Sequence, residues 1–85
     1  MVERIRLHEA IVVCMLRKRK FTMSTKQIAA FNAELDLFRR PKDGKHPETW
    51  QVFIRANNRG YKWLFKVDGN QDAATVSLRS VGTLP

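Results

Sequence analysis

With 85 residues, 44% of them apolar, the chain has material for one small domain with a modest core. Its single cysteine, Cys14, excludes an internal disulfide and a cysteine-built zinc site, and its longest apolar run, Ala10 to Leu16, is far below the roughly 20 residues that cross a bilayer. The net charge of +8 is uneven: residues 39–66 hold eight Lys/Arg against two Asp/Glu, net +6, while residues 1–38 carry +3 and residues 67–85 carry −1. The middle of the chain therefore draws polyanions, nucleic acid first and acidic membrane or protein surfaces second.

Leu7, Ala10, Ile11, Cys14 and Met15 recur at helical spacing, which predicts a first helix over about 7–19. Val12, Val13 and Leu16 widen its stripe, so it is expected to be well buried. Glu9 near its start and Arg17 to Lys20 at its end complement the helix dipole. Those four cations follow the apolar run directly, where a leader peptide would carry small residues for cleavage. The expectation is a soluble, unprocessed protein of a reducing, cytoplasmic compartment.

Phe21-Thr22-Met23 reads as a short extended link. Ser24-Thr25-Lys26-Gln27 has the form of a capping box, with Ser24 and Gln27 satisfying each other's backbone N–H groups. Ile28, Phe31 and Leu35 then place a second helix over about 25–35. Leu37 and Phe38 form an apolar anchor. Arg39 to Lys45, with Pro41 and Asp43-Gly44, is a basic loop.

A third helix is expected to start at Pro47 and stop at Gly60. At about 100° per residue, Trp50, Phe53, Ile54 and Asn57 share the side predicted to face the core. Glu48, Val52, Arg55 and Arg59 fall on the far side, flanked by Gln51 and Ala56. Tyr61, Trp63, Phe65 and Val67 alternate with Lys62 and Lys66, as a strand requires. Asp68 to Asp72 is turn chemistry, and Thr75 to Arg79 alternates again. These two strands make an antiparallel hairpin with a loop of about seven residues. Residues 1–80 form one domain, and residues 81–85 are expected to be a loose tail.

Three helices followed by a two-stranded wing is an α+β winged helix-turn-helix, in which helix three lies in the DNA major groove and the wing follows the backbone. The stretch LHEAIVVCMLRKRKFTMSTKQIAAFNAELDLFRRPKDGKHPETWQVFIRANNRGYKWLF resembles the HARE-HTH winged-helix family. LHEAI opens helix one, MSTKQIA opens helix two, LDLFRRPKDGKHP links to helix three, and YKWLF and VSLR match the wing strands. The likeness covers about residues 7–79, with MSTKQIA and LFRRPKDG its most telling parts. Members of that family occur in restriction enzymes, chromatin proteins and the RNA polymerase delta subunit. The resemblance thus implies DNA binding or docking onto a DNA-processing protein, without choosing between them; with the basic middle segment, the expectation is double-stranded DNA binding by a small transcription regulator or accessory factor on the nucleoid. The alternative it leaves open is docking onto an acidic surface of RNA polymerase or another DNA-processing protein.

The residues suited to DNA follow from the arrangement. Arg55 and Arg59 can pair with guanine edges and Gln51 with adenine, and Thr49 lies in the first turn of the same helix. Arg39, Arg40, Lys42 and Lys45 can clamp phosphates from the preceding loop, and Lys62 and Lys66 from one face of the wing. Against these stand plainer roles: a solvated helix face, a solvated loop, and lysines that protect a sheet edge. Trp50, Phe53, Trp63 and Phe65 could stack on unpaired bases, the basis of a third reading as an RNA or single-strand binder, but their spacing favours core positions. Tyr61, at the strand start, is expected to be partly exposed. Cys14, His8 and His46 form no catalytic set, and Asp43, Glu48 and Asp68 form no metal or acid/base pair, so no enzyme and no cofactor are expected.

Overall fold

The first helix, α1, runs from Leu7 to Lys18. It opens where the Arg6 N–H donates to Glu9 Oε1 at 2.7 Å, and it ends on Arg19, which takes a left-handed conformation (φ 54°). The structure, a computed structural model, describes residues 5–70 and 73–79. The expected tail at 81–85 lies outside the described residues. Leu7, Ala10, Ile11, Cys14 and Met15 are buried, the stripe that the spacing predicts. Leu16, expected to widen that stripe, is exposed instead.

The link after α1 is more than a link. Thr22–Ser24 forms a strand, β1, and Thr25–Leu35 forms α2 directly behind it. The capping box is present as expected: the Gln27 N–H donates to Ser24 Oγ at 3.0 Å, and the Ser24 N–H to Gln27 Oε1 at 3.2 Å. Helix α2 buries Thr25, Ile28, Ala29 and Asn32. The expected Phe31 and Leu35 are only half-buried, and the Lys18 ammonium sits 4.3 Å above the Phe31 ring.

Helix α3 spans Thr49–Ala56, shorter at both ends than expected. Glu48 is its N-cap, its N–H satisfied by Gln51 Oε1 at 2.9 Å. The chain after it does not run straight into a strand. Asn58 Oδ1 accepts from the Gly60 N–H at 2.8 Å and the Asn58 carbonyl from Tyr61 N–H at 2.9 Å, which closes a 3₁₀ turn over Arg59–Tyr61. The alternation from Tyr61 onward therefore becomes a true strand only at Phe65–Asp68, β2. Lys62 lies in the turn and Lys66 on β2, so the two do not share a strand face as expected.

The last strand, β3, is Thr75–Leu78. It pairs antiparallel with both neighbours, giving the order β1-β3-β2. The sheet has three strands rather than the expected two. Met23, Val76 and Val67 stand in one row, and Phe65 pairs with Leu78. Gly69 turns the hairpin at φ +89°, and a Cβ there would meet the Ala73 carbonyl oxygen at 2.7 Å. The result is an α+β domain of three helices and a three-stranded antiparallel sheet, with one core of Ile11, Met15, Met23, Ile28, Val52, Phe65 and Val76 between the layers. Among the described residues no helix is long and apolar enough to cross a membrane.

Candidate nucleic-acid interface

The basic loop is held from both ends. Asn32, buried on α2, donates from Nδ2 to the Phe38 carbonyl at 3.1 Å and accepts the Phe38 N–H at 2.9 Å. Asp36 accepts from Arg39 Nε at 2.7 Å and pairs with His46 Nε2 at 2.7 Å, so one carboxylate joins the two ends of the loop. Arg39 Nη1 also donates to the Gly44 carbonyl at 2.9 Å. Within the loop the Arg40 N–H donates to the Lys45 carbonyl and the Gly44 N–H to the Arg40 carbonyl, both at 2.7 Å.

This order divides the expected phosphate clamp. Arg40 is half-buried, with its guanidinium on Asp43, on Gln51 Oε1 at 3.1 Å and near Glu48 at 3.9 Å. The hydrogen bond from Arg40, then the Lys45 N–H, holds the Asp43 carboxyl below the usual carboxylate range. The hydrogen bonds from Arg39 and then His46 do the same for Asp36. Arg39 and Arg40 thus serve the loop first, and Gln51 is committed to the Glu48 N–H and to Arg40 rather than presented for base contact. Lys42 and Lys45 are exposed and make no ion pair with any described residue. Arg55, Arg59, Lys62 and Lys66 are likewise exposed and without an ion pair among the described residues.

Helix α3 is turned opposite to the expectation. Val52 and Ala56 are the buried pair, while Trp50 and Ile54 are 44% and 54% exposed. Phe53 and Thr49 lie between, half-buried. Large side chains drew the expected core face, but small ones let a short helix approach α2 and α1 closely. Hence the outward face carries Trp50, Ile54, Asn57 and Arg55. Trp50 Nε1 donates to Glu48 Oε2 at 3.1 Å. Asn57 and the two apolar groups were not legible as surface from spacing alone.

Between α3, the loop and the start of α1 lies an open groove of about 620 Å³. Leu7, Phe38, Pro41 and Ile54 contribute apolar walls, and Lys42 and Arg55 stand at its margin. A smaller hollow of about 370 Å³ continues past Arg55 to Tyr61. There the Tyr61 ring stacks on His8 with centroids 4.4 Å apart, and the Arg55 guanidinium lies 5.9 Å from the Tyr61 centroid. Tyr61 is half-buried, as expected.

Among the described residues no group of three or more His, Cys, Asp or Glu side chains converges to hold a metal ion. Burial pushes the Cys14 thiol up to about 11, which keeps it protonated at neutral pH. No family model, no curated protein and no solved structure matches the chain.

Proposed function

We propose that this is a winged helix-turn-helix protein that binds double-stranded DNA, with α3 against the major groove. The observation that carries it is the set of six exposed cations, Lys42, Lys45, Arg55, Arg59, Lys62 and Lys66, which lie in the segment that contains α3 and form no ion pair among the described residues. The element order supports it too. A strand between the first two helices that joins a C-terminal hairpin is the arrangement of winged helices, and the resemblance of the sequence points the same way. On this reading Lys42, Lys45 and Lys66 hold phosphates, Arg55 and Asn57 reach base edges, and Trp50 and Ile54 lie against thymine methyl groups. Fluorescence anisotropy with a labelled duplex tests it. Lys42→Ala is expected to weaken all sequences alike, and Arg55→Ala to flatten sequence preference. Absence of duplex binding at low salt would overturn the proposal.

A second reading is favoured by Trp50 and Ile54 themselves. Two exposed apolar groups beside a groove edged by Lys42 and Arg55 suit an acidic protein segment that carries an apolar anchor. That partner would be RNA polymerase or another DNA-processing protein with an acidic surface. It would bind the same face with little loss on Lys66→Ala, whereas duplex DNA would lose affinity.

A further inference from the structure

Phe21 and Trp63 are the most exposed large apolar side chains of the described residues, at 71% and 66%. Both belong to one end of the sheet. The Phe21 carbonyl, just before β1, accepts the Leu78 N–H at 2.8 Å, and the Leu64 carbonyl, just before β2, accepts the Arg79 N–H at 2.9 Å. The end of β3 therefore runs between them, and at about 4.8 Å per strand the two aromatics stand on the order of 10 Å apart. Each directly follows an exposed lysine, as Lys20-Phe21 and Lys62-Trp63. Arg79 leaves β3 between the two pairs, its Nε donating to the Lys62 carbonyl. Asp68, the acidic residue of the sheet, is at the opposite end, in register with Thr75.

We propose that this sheet end binds unpaired nucleic acid, with bases stacked on Phe21 and Trp63 and phosphates on Lys20, Lys62 and Arg79. The repeat of a cation beside an aromatic matches the alternation of phosphate and base along a single strand. A bilayer surface would instead favour a continuous apolar face with cations at its rim, and here Arg79 interrupts the two aromatics. Its two aromatics lie outside α3, while Lys62 is shared with the cations of the duplex reading, so the aromatic variants and not Lys62 separate the two sites.

The test is anisotropy of a labelled fifteen-nucleotide oligothymidylate at low salt, beside a mixed-sequence duplex and phosphatidylglycerol vesicles. Phe21→Ala with Trp63→Ala is expected to weaken oligothymidylate binding by about tenfold or more and to leave duplex affinity within about twofold. The conservative pair Phe21→Tyr with Trp63→Phe retains the binding. As a second readout independent of those variants, Trp50→Phe leaves Trp63 as the sole indole, and oligothymidylate is expected to quench it. No quenching, oligothymidylate affinity unchanged in the double alanine variant, or loss of vesicle binding in place of strand binding would each overturn the proposal. Duplex binding that fails while the strand still depends on Phe21 and Trp63 would overturn the α3 reading and leave this one standing.

Discussion

The rotation of α3 decides what the protein offers to a partner, and truncation of its side chains measures that rotation. Val52 is fully buried. Val52→Ala removes two buried methyl groups, about 1.6 kcal/mol of transfer free energy. The residual cavity adds about 1 kcal/mol, and the better helix propensity of alanine returns about 0.5 kcal/mol. The net loss is about 2 kcal/mol, roughly 10 °C in Tm for a domain of this size. Ile54, more than half exposed, loses under half of its contact area with water on folding. Ile54→Ala is therefore expected to cost about 1 kcal/mol or less, with the propensity gain offsetting part of the lost packing. Trp50→Ala removes a larger group of which more than half is covered, so it is expected to cost about 2 kcal/mol and does not by itself report the helix phase. Urea unfolding followed by circular dichroism gives the three values on one scale. If Ile54→Ala costs more than Val52→Ala, the helix is turned the other way and Ile54 does not face outward.

Asn32→Ala removes both hydrogen bonds to Phe38 and is expected to cost about 1–3 kcal/mol. Asn32→Asp should not rescue it, because the carboxylate can accept the Phe38 N–H but cannot donate to its carbonyl. Urea midpoints of the two variants check this. The carboxyls of Asp36 and Asp43 are lowered in the folded chain. The unfolded chain thus binds more protons as the pH falls, so their contribution is present above the ordinary carboxylate value near pH 4 and is lost as pH drops through the lowered folded values. Amide hydrogen exchange in residues 39–46 is expected to quicken below about pH 4. With Asp36→Asn and Asp43→Asn combined, that acid-dependent step should disappear.

Much of the fold was legible where its causes are local. The capping box at Ser24 and Gln27 and the stripe of α1 are read from neighbours within one or two helical turns; the cap stands as expected, and so does the stripe except at Leu16, which is exposed. Strand β1 was not legible as a strand. Its three residues gain their ladder from β3, about fifty residues away in the chain, and three residues carry too little pattern to announce that pairing. The phase of α3 failed for a different reason. Its apolar residues surround much of an eight-residue helix, so spacing offered two faces and the bulkier one was chosen. Tertiary packing favoured the smaller pair, Val52 and Ala56. At Tyr61 to Leu64 a 3₁₀ turn capped by Asn58 imitated strand alternation, which hid the exposure of Trp63. The cations of the candidate site were legible by type. That Asp36 and Asp43 occupy Arg39 and Arg40 depends on loop geometry, which no spacing rule supplies.

The most direct test of the central claim is the salt dependence of binding to duplex DNA. If four or five of the cations Lys42, Lys45, Arg59, Lys62 and Lys66 engage phosphates, log K falls against log salt with a slope between about −3.5 and −4.5. Affinity then drops by about 10²- to 10³-fold between 50 and 200 mM salt. A slope near zero, or no measurable binding to any duplex at 50 mM salt, would contradict the claim that this face exists to hold DNA.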